Sequence, residues 1–192
     1  MVTSARSTLA ISVLALAISA SGASGQQNEI TTQEAEAYFR QLQQEATEIV
    51  GQQDFDRLDE WLEENIADGA VWQAGLTIVT DGKRKGFAEM TFDKSDLSRL
   101  SPFLASAFQQ RIGDYSLEVT VNDVVPHGSD TATATVEWTE RFSIDVAGDD
   151  SETEQDERQF TFEAVATCTH LLQRTEDSFA LGLSTCTGEV RL

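Results

Sequence analysis

From Tyr115 to the C-terminus the apolar residues recur at every second position, and this alternation confines the second half of the chain to a sheet with one buried face. Tyr115, Leu117, Val119 and Val121 alternate with Ser116, Glu118, Thr120 and Asn122. A second strand, Thr131 to Val146, places Ala132, Ala134, Val136, Trp138, Phe142 and Ile144 on one side. The connector Pro126 to Ser129 reads as a four-residue loop, and an even loop pairs odd positions with even ones, which brings both apolar sets to the same face. Two further strands are expected at Gln159 to Gln173 and Phe179 to Val190.

The only two cysteines lie in the last pair of strands, each in a Thr-Cys-Thr triplet. With Glu176, Asp177 and Ser178 as a three-residue loop, positions whose numbers sum to 354 face each other, so Cys168 meets Cys186 and His170 meets Ser184. Opposed residues on antiparallel strands bring Cβ atoms near disulfide distance. A bond between Cys168 and Cys186 is therefore expected, stabilising at the lower end of about 2 to 4 kcal/mol because it closes a short loop already zipped by the hairpin. A slip of one residue would instead put two free thiols on opposite faces.

Ahead of the strands the period is helical. Ala35, Tyr38, Phe39, Leu42, Ala46, Ile49 and Val50 form one stripe over Thr32 to Val50. A second helix is expected over Asp54 to Ile66, with Phe55, Leu58, Trp61, Leu62 and Ile66 on one side, Asp54 as N-cap and Asp68-Gly69 as the stop. Ala70 to Val79 and Arg84 to Phe92 read as a hairpin about Asp81-Gly82, whose tip carries the basic run Lys83 to Lys85. A third helical region is expected from Lys94 to Gln110, restarted at Ser101-Pro102.

Residues 1–25 have the form of a secretory signal peptide, with one basic residue, Arg6, an apolar run from Leu9 to Ala20 and small residues after it. The run is short for a bilayer span and no cysteine follows it, so no membrane anchor is expected and the location is periplasmic or secreted. Residues 26–192 are then long enough for a single domain. That domain carries 12 basic against 33 acidic residues, 12 minus 33 or −21, a field that repels nucleic acid and anionic lipid. The acidic run Gly148 to Glu157 lacks the ligand spacing of a calcium loop and reads as a solvated segment. Zinc-ligand spacing, phosphate loops, dinucleotide fingerprints and the Gly-x-Ser-x-Gly elbow are all absent from the sequence, so neither a metal nor a cofactor is expected.

The order of helix, helix, strand pair, third helix and long antiparallel strands, and above all the stretch GQQDFDRLDEWLEENIADGAVW from Gly51 to Trp72, resembles the nuclear transport factor 2-like superfamily, also called the SnoaL-like or cystatin-like α+β cone. The resemblance implies an α+β fold in which a curved antiparallel sheet forms a cone with the N-terminal helices on its concave face. Because that scaffold serves isomerases, cyclases, dehydratases, epoxide hydrolases and transport adaptors, it implies no one activity. The general-base Asp of ketosteroid-isomerase-like members falls here at Ala74 and the Tyr of the first helix near Ala46, and neither residue can transfer a proton.

In such a cone the site is the hollow between sheet and helices. The inner face is expected to carry Tyr115 opposite Glu140 and His170 opposite Ser184, with Trp72, Trp138, Phe142 and Ser184 as ligand-binding candidates. His170, Glu140 and Tyr115 are the candidates for acid–base chemistry. The chain is read first as a non-catalytic domain that holds a small apolar ligand or a protein partner. A small-molecule isomerase, cyclase or dehydratase, and a homodimer through the open sheet face, are the competing readings.

Overall fold

The structure is a computed structural model that describes residues 29–54, 56–99, 112–146 and 158–192. The leader, residues 100–110 of the expected third helix and the acidic run Gly148 to Glu157 lie outside the described residues.

Helix α1, Thr32–Gly51, starts at a reciprocal cap: the Glu34 N–H donates to Thr31 Oγ1 at 3.2 Å and the Thr31 N–H to Glu34 Oε2 at 2.8 Å. Its stripe buries Ala35, Tyr38, Phe39, Leu42 and Ile49. Helix α2, Asp56–Asn65, starts two residues later than Asp54 predicts, and the Asp54 carbonyl accepts from the Arg57 N–H at 3.2 Å. The chain then leaves the helix through Gly69, whose φ of 74° is the left-handed conformation a glycine adopts without strain. Residues 94–99, the start of the third expected helix, are helical.

The strands are β1, Val71–Thr80; β2, Lys83–Asp93; β3, Ile112–Pro126; β4, Thr131–Val146; β5, Arg158–Arg174; and β6, Phe179–Arg191. They form one sheet in the order β2-β1-β6-β5-β4-β3. Four of its neighbour pairs are antiparallel and the pair β1 and β6 is parallel, so the sheet is mixed. The β1–β2 turn at Asp81 and Gly82 has φ of 53° and 69°, both positive, as a right-twisting two-residue hairpin requires.

Two register details differ from expectation. Between β3 and β4 the pairing reaches Pro126 with Ala132, and the His127 N–H donates to the Thr131 carbonyl at 2.8 Å, so the loop is Gly128 to Asp130. A bulge between Val121 and Asp123 then changes the parity, and the apolar sets share a face after all. As a result Leu117, not Tyr115, stands opposite Glu140. Between β5 and β6 the last pair is Arg174 with Phe179, giving a four-residue turn in place of three. A bulge between His170 and Leu172 offsets that extra residue, and Cys168 meets Cys186 and His170 meets Ser184.

The core lies where α1 and α2 cross the inner face. Ala132 and Ala134 of β4 are fully buried, and their small side chains let Phe39, Leu42 and Leu62 approach the sheet together with Leu172, Phe179 and Leu181. Tyr38 closes the layer, its ring edge-on to Phe39 and Phe179 and its hydroxyl donating to the Asn65 carbonyl at 3.3 Å. The Cys168–Cys186 disulfide is formed, with 4.0 Å between Cα atoms.

Candidate functional site

Beyond this core the inner face opens. Ala164 and Ala166 of β5 line this opening, and their small side chains leave space that larger ones would fill. Ala166 is paired with Gly188 of β6. A Cβ on Gly188 would lie 2.2 Å from the Val165 carbonyl oxygen, so only glycine fits there. The result is a cavity of about 460 Å³, within the size range of small-molecule sites. Its floor is the sheet, through Trp72, Trp138, Glu140, Ala166 and both cysteines; its roof is Leu58, Trp61 and Leu62 of α2, with Leu97.

The walls are apolar and aromatic. Trp72 stacks on Phe92 with ring centroids 6.0 Å apart and 19° between planes. The Trp61 indole N–H is turned to Glu45 of α1 at 3.0 Å, and the Trp138 indole N–H donates to His170 Nε2 at 3.1 Å. All three tryptophans of the chain therefore line one cavity.

His170 is held at both ring nitrogens. An indole N–H can only donate, so Nε2 accepts, the ring proton is on Nδ1, and Nδ1–H donates to Ser184 Oγ at 2.8 Å. Burial lowers its pKa to about 4 and keeps the ring neutral. With its lone pair occupied by Trp138, His170 orients a wall of the cavity and has no free site for a proton.

Among the described residues, Glu140 is the other ionisable group in the cavity wall. Burial pushes its carboxyl above the usual range, against the opposing pull of the Tyr115 hydroxyl. Tyr115 is itself pushed up, first by burial and then by the charge of Glu140 it is bonded to. The two side chains thus meet although their backbones are not paired: the irregularity between Gly113 and Ser116 displaces Tyr115 from the ladder. Ser184 is fully buried behind His170 and reaches the cavity only through that ring. Phe142 does not line the cavity; it stacks on Phe162 at 4.9 Å and 11°.

Leu58, Trp61, Leu76, Phe92 and Leu97 were not among the expected site residues. The stripe of α2 announced a buried face, but a stripe does not distinguish a residue packed on the sheet from one spanning a gap above it. Among the described residues no lysine or arginine lines the cavity. Among the described residues no three His, Cys, Asp or Glu side chains converge on a metal position.

No protein-family model matches the chain, and no curated protein matches it in sequence. Solved structures do. A protein described as the β subunit of an aromatic-ring-hydroxylating dioxygenase from Novosphingobium aromaticivorans is 14% identical, with 82% of this chain and 90% of that one covered at a TM-score of 0.49. A hexachlorocyclohexane dehydrochlorinase of Novosphingobium barchaimii is 13% identical over 80% and 86%, at 0.44. A nuclear transport factor 2-like protein of unknown function from Silicibacter pomeroyi is 13% identical over 83% and 99%, at 0.42. These likenesses are of chain architecture and bring no activity with them. The chain is an α+β open-sheet protein, similar in fold to nuclear transport factor 2-like proteins.

Proposed function

We propose that the protein binds a small, mainly apolar molecule in the cavity between α2 and the sheet and does not transform it. The observation that carries this reading is the cavity itself: about 460 Å³ walled by three tryptophans, Phe92 and aliphatic side chains, with one carboxyl among the described residues, Glu140, in its wall. The engagement of both His170 nitrogens supports a binding role over acid–base work at that residue. We place the protein outside the cytoplasm, in periplasm or medium. The cross-strand disulfide supports an oxidising compartment, and among the described residues no helix is long and apolar enough to cross a membrane.

The three cavity tryptophans provide the readout. A neutral aromatic probe should change their fluorescence and saturate at one molecule per chain. Ala166→Leu, which fills the floor, should abolish the change while far-ultraviolet circular dichroism stays that of the parent. A response that survives the filled cavity would reject it as the site.

A second reading is favoured by one observation, the half-buried Glu140 carboxyl beside Tyr115, because a carboxyl raised above its ordinary value is suited to moving a proton to or from carbon. It predicts exchange of an acidic C–H of a bound ketone with deuterium, seen by proton NMR and lost in Glu140→Gln.

A further inference from the structure

If the cavity is a binding site, as proposed above, Glu140 is, among the described residues, the ionisable group open to its occupant, since His170 has both nitrogens engaged. Glu140 is half-buried, and a carboxylate partly removed from water is stabilised by a cation or a proton beside it. Among the described residues none of the basic side chains meets it. Lys94 binds Glu63 at 2.7 Å, Arg174 binds Glu34 at 3.1 Å, and Arg141 and Arg191 bind Glu163 at 2.8 and 3.0 Å. What Glu140 has is the Tyr115 hydroxyl, which fixes the carboxyl without neutralising it.

Around this carboxyl the surface is aromatic. Trp138 stands two residues away on the same face of β4, and Trp72 is stacked on Phe92 in the same cavity. The N–H groups of Trp61 and Trp138 are spent on Glu45 and His170, so these rings offer an occupant their carbon surfaces. Aromatic faces attract cations through their quadrupole, most strongly when water is excluded. A chain with formal net charge −20 also draws cations toward it and repels anions.

We propose that the cavity selects an organic monocation, an apolar body with one ammonium group, and that the ammonium takes the counter-ion position beside Glu140 while the aromatic walls cover the body. A neutral molecule can fill the same space but leaves the carboxylate without a partner. An anion meets repulsion from Glu140 and from the whole chain.

The test uses the neutral reporter N-phenyl-1-naphthylamine and three competitors with one rigid hydrocarbon body, 1-adamantanamine, 1-adamantanol and 1-adamantanecarboxylate, at pH 7. The amine should displace the reporter at a concentration lower than the alcohol by about tenfold or more, with the carboxylate weakest. Glu140→Gln should bring the amine down to the alcohol's level, and Glu140→Asp, which keeps the charge, should retain the preference for the amine. Reporter bound but alcohol competing as well as amine would overturn the cation selectivity and leave the cavity as a site for neutral molecules. An amine preference that survives Glu140→Gln would overturn Glu140 as its counter-ion. Failure of the reporter and all three competitors to bind would overturn the binding function itself and this proposal with it.

Discussion

His170 shows how one buried residue couples the site to pH. Its folded pKa, about 4, lies below the ordinary 6.5, so the neutral ring's contribution is fully present above about pH 6.5 and is lost as pH falls toward 4. For a group 2% exposed that difference corresponds to about 3 kcal/mol. Glu140 has the opposite sign. Its folded value is raised, so its contribution is present below the unfolded carboxylate range and is lost as pH rises through the folded value. Urea unfolding at a series of pH values should therefore show stability falling on acidification below pH 6.5, and His170→Asn should remove that part of the slope. Ser184→Ala leaves the Nδ1–H of His170 without its acceptor and should cost about 1 to 3 kcal/mol in the same measurement. The residue types were legible in the sequence, and so was the pairing of His170 with Ser184. The engagement of Nε2 by Trp138 was not, because it depends on side-chain directions across β4 and β5 and not on ladder position.

Among the elements, the β5–β6 hairpin shows how a correct pairing can follow from an incomplete count. A three-residue loop predicts Cys168 opposite Cys186; the hairpin has a four-residue turn, and the bulge beyond His170 offsets the extra residue. Turn residues such as Glu176 and Asp177 mark a turn without stating its length, and a bulge has no signature in the alternation unless its extra residue breaks it. Gly182 and Leu183, facing Leu171, are that break, with Leu183 at 53% exposure inside an otherwise buried run. Replacing both cysteines by alanine should lower stability by about 2 kcal/mol, because the hairpin already closes most of the loop. Gly188→Ala should cost a comparable amount, about 1 to 3 kcal/mol, since the added methyl runs into the Val165 carbonyl and neither backbone can withdraw without breaking the ladder. Thermal denaturation of both variants checks the comparison.

For the molecule as a whole, the cavity implies that occupancy and stability are linked. An occupant at 100 times its dissociation constant should add about 2.7 kcal/mol to unfolding, and Ala166→Leu should lose that increment while folding normally, as a ligand-dependent melting shift would report. Patterning alone determined that two helices precede a hairpin and four long strands with one buried face, and that two cysteines in those strands are neighbours. These are local matters: an amphipathic period of three to four or of two declares which side of an element is buried, and a turn sequence such as Asp81-Gly82 declares where it reverses. Tertiary structure decided that β1 lies parallel to β6, that Tyr115 meets Glu140 across a displaced register, and that Leu58, Trp61, Leu62 and Leu97 roof a hollow. Packing on the core and lining a cavity make the same demand on a side chain, removal from water, so the pattern records burial in either case. Only the distance between helix and sheet, which the sizes of Ala164 and Ala166 leave unfilled, separates the two.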